Sequence, residues 1–474
     1  MHPRIRRLAT TRGRLLIATT LAAALASGLV LSGGTGASAS RPVERSVAKA
    51  KVQKVKVDHR LFGVHDAHLT ALTHTTTGSI RLWDAGVTWA QMQPSSTDPI
   101  DFSRLDSIVS DAWANHTEVT YVAAMTPTWA AAPGYTATDG TEAPEPAAYA
   151  AFLHALMDRY QNYQGSGKPG IANYQLWNEA NISTFWKGTQ AQMGELVKVA
   201  YDTKQTVDPS VKLVGPAQVV VQSWMQKWTK SFYKLKVSGK PVWKYLNAIS
   251  LQLYPLETYP VSGGGTRPGT PEDAIATLKR VKGFLTANDG LPSSFPIWDT
   301  EINYGLKFGD TRGTAATAIP DSVQIAYVMR TFLLNAARGV QRVYWYRYDM
   351  PDLGGAQGGA PIANTLLTDP SQLSSGVLTP AGLAVGRIEQ WMNGTLIGTT
   401  TKQPCITDAK GTYTCTVQYA HGMGRIYWNP YARGKVTLVK SARTKTDEFG
   451  TTSSVKGGST LKVGLQPVLV QSRS

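Results

Sequence analysis

Between Leu61 and about Gly394, short β-branched or aromatic runs alternate with amphipathic helical stretches, and eight such units can be counted. No other feature constrains the fold as tightly, because strands joined one after another by helices pair in parallel and bury both faces of a single sheet. Strands are expected over 61–65, 79–82, 119–124, 173–177, 212–215, 248–253, 296–300 and 342–345, and helices over 102–114, 146–163, 190–207, 224–235, 271–288, 322–338 and 380–392. Thr270 ahead of Pro271-Glu272-Asp273 and Asp321 ahead of Ser322 read as helix caps, while Gly290 and Gly339 stand where helices should stop. No Gly-rich phosphate loop follows the first strand, so the fold class expected is α/β, a closed (β/α)8 TIM barrel over 61–394 rather than an open nucleotide-binding sheet.

After Gly394 the pattern changes to short strands over 424–428, 434–439 and 468–471, punctuated by Gly, Asn and Pro. A small C-terminal all-β, sandwich-like domain is expected over 395–474. With 42% hydrophobic residues, 17% charged residues, 13 Trp and 20 Tyr, the chain has ample apolar surface for cores of this size. Cys405 and Cys415 flank Asp408-Ala409-Lys410-Gly411, and in an exported chain this pair reads as a disulfide across a hairpin; the spacing excludes a CxxC site.

The N-terminus reads as a targeting segment. Arg4, Arg6, Arg7, Arg12 and Arg14 precede an uncharged run from Leu15 to Leu31, and Ala37-Ser38-Ala39 offers a cleavage site. A signal peptide over 1–39 and a secreted, extracellular product are therefore expected. The rival reading is an uncleaved anchor, since the apolar run approaches the roughly 20 residues that span a bilayer; cleavage would leave no stable membrane insertion. Five of the charges behind the net +16 belong to those arginines. Residues 40–60 carry Arg41, Arg45, Lys49, Lys51, Lys54, Lys56 and Arg60 against Glu44 and Asp58, and read as a basic linker. The functional alternative is adhesion to an anionic cell-envelope polymer, in association with the cell wall. Nucleic acid is not expected as a partner, because no binding motif accompanies the charge.

In a barrel the residues that end the strands face the substrate. The fourth strand ends Trp177-Asn178-Glu179 and the seventh ends Asp299-Thr300-Glu301, so each delivers a Glu to the same rim. Two opposed carboxylates are what glycosidic cleavage requires: one protonates the departing oxygen, and the other attacks the anomeric carbon or activates water. Asp299 competes with Glu301 as the second group, because residues two apart in an ideal strand point the same way.

Trp177-Asn178-Glu179 ending strand four, with Glu301 ending strand seven, resembles glycoside hydrolase clan A over most of residues 61–394. The resemblance implies a retaining mechanism, with Glu179 as acid/base and Glu301 as nucleophile. It also implies that Asn178 binds the sugar 2-hydroxyl, that Arg81 steadies the nucleophile, that Tyr254 hydrogen-bonds it, and that Trp345 forms the floor of the sugar subsite. Thr126-Pro127-Thr128-Trp129, with Trp89 and Pro94, is most similar to family 39 and its bacterial exopolysaccharide-cleaving relatives, and adds Trp129 as a substrate contact. The first strand brings His65, Asp66 and His68, for which the resemblance offers no counterpart. His65 and Asp66 are candidate substrate contacts, with loop hydrogen bonding as the alternative, and they lack the second cluster that a metal site would need. Arg81 has a bland reading too, as an ion-pair partner of Asp84. The Gly-, Ser- and Pro-rich stretch 351–378 is expected to overhang the rim.

The expected function is hydrolysis of O-glycosidic bonds in a β-linked poly- or oligosaccharide, as in polysaccharide degradation, with no cofactor and no metal. Two alternatives stand beside it: a transglycosylase using the same site, and a non-catalytic carbohydrate-binding or envelope-associated barrel. A binder has no need of two opposed carboxylates.

Overall fold

The computed structural model describes residues 52–66, 77–135, 139–161, 167–256, 258–304, 319–348, 367, 377–398, 403–431 and 433–472. The expected signal peptide, His68 and nearly all of 351–378 lie outside them.

Eight parallel strands form the barrel: β1 (Phe62–Val64), β2 (Ser79–Leu82), β3 (Glu118–Val122), β4 (Asn173–Gln175), β5 (Lys212–Val214), β6 (Ile249–Gln252), β7 (Ile297–Ile302) and β8 (Val343–Trp345). They lie in the order β5-β4-β3-β2-β1-β8-β7-β6, and a parallel bridge from Val214 to Ala248 joins the two ends. Every residue of β2, β6 and β7 is buried, as expected of strands covered by barrel contents on one face and helices on the other. All eight strands occur where the apolar runs predict them, with ends that differ by up to two residues: Glu118–Val122 starts one residue early and Ile297–Ile302 runs two past its expected end.

The helix signals behave as predicted in all but one case. Thr270 caps the helix Pro271–Asn288 through a reciprocal box with Asp273, whose Oδ2 accepts the Thr270 backbone N–H at 3.0 Å. Gly290 and Gly339 follow helix ends with φ of +68° and +78°, the left-handed conformation that glycine adopts without a steric cost. Asp321 is the first residue of the helix Asp321–Ala337 rather than its cap, which is Pro320. Its carboxylate still complements the positive end of the helix dipole.

An antiparallel sheet follows the barrel, with strands in the order Lys54–Lys56, Thr395–Ile397, Tyr413–Gln418, Met423–Trp428, Val468–Ser472, Ala442–Thr446 and Thr452–Ser454. Gly434–Thr437 pairs separately with Thr460–Val463, and Tyr427, Leu438, Ala442, Val463 and Val470 form a core between the two layers. The stretch read as a basic linker therefore includes an edge strand, with Lys54, Val55 and Lys56 opposite Ile397, Leu396 and Thr395. The reason is a regular one: lysines on a sheet edge keep its unpaired backbone groups from recruiting another chain, and they hide the strand from a periodicity reading.

Cys405 and Cys415 face each other in register on neighbouring strands, 4.1 Å apart at Cα, and form the expected disulfide. Replacing both with Ser should lower stability by about 2–3 kcal/mol, the loop-closure entropy restored to the unfolded chain. Urea unfolding of the double variant measures this, and an unchanged midpoint would mean that the strand pairing alone holds the hairpin.

Candidate active site

Arg81 organises the rim. It ends the inward face of β2, is 1% exposed, and spends its guanidinium on four neighbours. Nε donates to Gln175 Oε1 at 2.6 Å, Nη2 to Asn178 Oδ1 at 2.7 Å, and Nη1 to both Glu301 Oε2 at 3.0 Å and His65 Nε2 at 2.8 Å. A buried cation is tolerated only when paired and hydrogen-bonded, and these contacts occupy four of the five guanidinium N–H groups. The bland reading of Arg81 fails accordingly, since Asp84 lies instead against His65 Nδ1 at 3.7 Å and Arg347 at 3.4 Å.

Glu301 receives two further hydrogen bonds, from Tyr254 Oη to Oε1 at 2.8 Å and from Gln252 Nε2 to Oε2 at 2.9 Å. Burial, and then the charge of Glu301, push the Tyr254 hydroxyl well above its ordinary range, so it remains a donor. The 6%-exposed carboxylate thus has a cation and two neutral donors directed at it.

A register shift separates Asp299 from Glu301. Between these two residues the pairing of β7 with β6 slips, as does its pairing with β8 from Asp299 onward. Such a bulge re-aims side chains, and the ideal alternation of the strand no longer holds. Asp299 is turned out of the site, accepting from the Leu253 backbone N–H at 3.2 Å and from Asn335 of the surrounding helix Asp321–Ala337 at 3.3 Å. Burial pushes its pKa well above the ordinary value, against the pull of these two hydrogen bonds.

Glu179 follows β4 on strained backbone. Trp177 and Glu179 have φ of +82° and +42°, in the left-handed region that costs non-glycine residues of the order of 1–3 kcal/mol each. Surrounding bonds impose this shape: Ala217 N–H donates to Trp177 O at 3.0 Å, Ala180 N–H to Ala217 O at 3.0 Å, and the Trp177 indole to Phe185 O at 2.7 Å. Burial, followed by the negative charge of Glu301, pushes the Glu179 pKa well above its ordinary value, while Arg81 pulls against them. The charge of Glu301 therefore reaches Glu179 and favours its protonated form.

Asn178 is oriented without ambiguity. Arg81 can only donate, so the atom facing it is Oδ1, which also accepts from Gln252 Nε2 at 3.2 Å. This commits the amide oxygen to the protein.

One expected contact is corrected. Trp345 is fully buried, with its ring 5.9 Å from Tyr304 and 6.4 Å from Phe332 of the helix outside the barrel, so it cannot form the floor of a subsite. The cause is strand alternation: Tyr344 turns inward to Thr120 Oγ1 at 2.6 Å, which points Trp345 outward. Tyr346, only partly buried and 5.2 Å from the His65 ring, is the aromatic residue beside the site. Trp129 is half-buried, edge-on to Trp89 and tied to Gln93 O at 3.0 Å. Asp66 is buried one residue past His65.

Sequence reasoning missed Gln175, Gln252, Asp84 and Tyr346. For Gln252 a signal existed: Ser250, Gln252 and Tyr254 alternate with Ile249, Leu251 and Leu253, a polar face on a strand buried on both sides. Among the described residues no group of three His, Cys, Asp or Glu side chains is placed to hold a metal ion.

No protein-family model and no curated protein matches the sequence. Solved structures do match its fold. A family 39 glycoside hydrolase from the gut symbiont Bacteroides cellulosilyticus aligns with a TM-score of 0.61 at 17% identity, over 87% of this chain and 80% of that one. A monomeric β-xylosidase from Caulobacter crescentus aligns at 0.57 and 15% identity, over 89% and 97%. A family 51 arabinofuranosidase from Xanthomonas axonopodis pv. citri aligns at 0.52 and 12% identity, over 90% and 98%. The chain shares with them a (β/α)8 barrel joined to a C-terminal β-module.

Proposed function

We propose that this chain is a retaining glycoside hydrolase that cleaves O-glycosidic bonds of a β-linked poly- or oligosaccharide outside the cell. The observation that carries the reading is the pairing of Glu179, whose pKa burial and a neighbouring charge raise, with a carboxylate, Glu301, that accepts from Arg81, Gln252 and Tyr254. The glycosidases whose fold it shares support the same reaction class.

The chemistry runs in two displacements. A Glu301 oxygen attacks the anomeric carbon as Glu179 gives its proton to the leaving oxygen, forming a glycosyl ester and freeing the aglycone. Glu179, now ionised, takes a proton from water as that water attacks the same carbon, and Glu301 departs as a carboxylate. Both roles of Glu179 ask for a pKa above the ordinary carboxylate range, the direction in which burial and the Glu301 charge push it. Asn178 Nδ2 would donate to the sugar 2-hydroxyl, a contact that strengthens as the ring approaches an oxocarbenium ion. The Arg-rich N-terminus, its apolar run and Ala37-Ser38-Ala39 support export, as does the Cys405–Cys415 disulfide. The excess of Lys and Arg over 40–60 supports adhesion to an anionic envelope polymer.

A panel of aryl β-glycosides and polysaccharides, with the anomer of the first product followed by NMR, tests the reading. Retained configuration is expected; no turnover by the wild type on any β-glycoside would favour a non-catalytic binder. The pH dependence follows from the Glu179 shift. Its proton is needed, so kcat/KM should be full below the raised pKa and fall as pH rises through it. Glu179→Gln should abolish that basic limb and cost about 10²–10⁴-fold on substrates with poor leaving groups, with little loss on dinitrophenyl glycosides in the first displacement.

A further inference from the structure

The end of the barrel where the strands begin, opposite the catalytic rim, holds a cavity of about 470 Å³ lined by five cationic side chains. Lys54 and Lys56 come from the edge strand, Arg60 from the turn leading into β1, Lys212 from the first position of β5, and Arg342 from the position just before β8. Two carboxylates stand against them. Glu118, at the start of β3, accepts from Arg342 Nε at 2.7 Å and from Arg60 Nη1 at 3.3 Å, and Asp58 accepts from Arg60 Nε at 2.9 Å. Five cations against two carboxylates leave an excess of three positive charges.

The two arginines are the compensated members of this set. Lys54, Lys56 and Lys212 make no ion pair within 4.0 Å among the described residues. Lys54 and Lys56 alternate with Val55 along the edge strand, so both exposed ammonium stems leave its same face. An unpaired lysine is ordinarily explained by a packed stem and a head in bulk water, and that suffices for these two. It does not suffice for Lys212, which is half-buried and shares the cavity lining with Arg60 and Arg342. Burial lowers its pKa; Glu118 pulls the other way but is already spent on two arginines, and the charges of Arg342 and Arg60 add to the lowering. A cation drawn out of water asks for a counter-charge, and here the protein leaves room for one instead of supplying it. Ammonium and guanidinium groups around a space of small-molecule size are the chemistry of an oxyanion site, and an excess of three charges suits a ligand with more than one anionic group.

We propose that this cavity binds a ligand carrying consecutive phosphoryl groups, either a condensed phosphate in solution or the phosphodiester backbone of an envelope polymer. For the polymer the proposal rests on the adhesion reading given above; for the phosphate it stands without it. The site lies where β1, β5 and β8 begin, whereas Glu179 and Glu301 stand where β4 and β7 end, so it is separate from the chemistry of the rim.

Calorimetric titration of the full chain with sodium tripolyphosphate, and separately with poly(glycerol phosphate), tests this against sodium chloride of equal ionic strength. The proteins compared are the wild type, Lys212→Gln, and the double variant Lys54→Gln with Lys56→Gln. Saturable binding of tripolyphosphate by the wild type is expected, weakened about tenfold or more in Lys212→Gln, the scale of one lost hydrogen bond to a charged group. A smaller loss is expected in the double variant, whose lysines are exposed and better screened. That variant is altered only at exposed positions, so the comparison survives a Lys212→Gln protein that fails to fold. Tripolyphosphate bound equally by all three proteins, or no binding beyond the chloride control, overturns the proposal. Tripolyphosphate bound through Lys212 without uptake of the polymer leaves the site standing for a soluble phosphate and removes the adhesion reading. Polymer bound equally by all three keeps adhesion through other cations and overturns the site.

Discussion

Glu301→Ala is expected to lower kcat/KM by on the order of 10⁴-fold or more, the scale lost when a covalent nucleophile is removed, while the barrel stays folded. The cavity left behind has a particular character. Arg81 remains buried there with Gln175, Asn178 and His65 still bound to it, but without the carboxylate that Nη1 faces, and the Tyr254 and Gln252 donors lose their acceptor. A small anion should therefore be drawn in, since it restores the missing charge and meets three ready donors. Added azide is expected to recover turnover on activated substrates and to yield a glycosyl azide of inverted configuration. Near wild-type hydrolysis by the variant without azide would remove Glu301 from its assigned role. Unchanged circular dichroism would confirm that lost activity is not lost structure.

The second large effect concerns stability. Glu272, in the first turn of the helix Pro271–Asn288, is 7% exposed and binds Arg330 of the neighbouring helix through both oxygens, at 2.9 and 2.5 Å. The same Oε1 accepts the Trp428 indole N–H from the C-terminal sheet at 2.8 Å. One carboxylate thus joins two barrel helices to the β-module. Glu272→Ala would strand a fully buried guanidinium and an indole donor, and should cost about 3–5 kcal/mol. Replacing both members, Glu272→Leu with Arg330→Met, should recover much of that loss, because the penalty lies in the uncompensated charge rather than in the absence of the pair. Thermal unfolding of the three proteins checks this; a single variant that melts with the wild type would show that Arg330 finds another partner.

The sequence displays the scaffold more plainly than the site, for physical reasons. Strands such as Ile249–Gln252 and Ile297–Ile302 are buried on both faces, and that requirement is written into their composition. The two carboxylates were legible because each terminates such a strand. Which face a rim residue takes was harder to read. The slip after Asp299 has no local marker such as Gly or Pro, so Asp299 and Glu301 look equivalent until the pairing with β6 is seen. Trp345 looked like a sugar platform because aromatics favour the rim, yet the inward turn of Tyr344 forces it into the outer layer. The Arg81 network draws on β1, β2, β4 and β7 at once, and periodicity within one segment carries no information about such a convergence.

The strand Lys54–Lys56 precedes the whole barrel, yet it pairs with Thr395–Ile397 beyond the last barrel helix. Among the described residues, the first and last strands therefore lie in the same sheet. A chain emerging from a ribosome or a translocation channel must leave that first strand waiting, unpaired, until almost everything else has appeared. Its docking has very high contact order and stands among the slow, late events of folding. Cutting the chain at residue 394 would deprive the isolated C-terminal piece of a strand, so it should be produced either with residues 52–58 tethered to it or not at all.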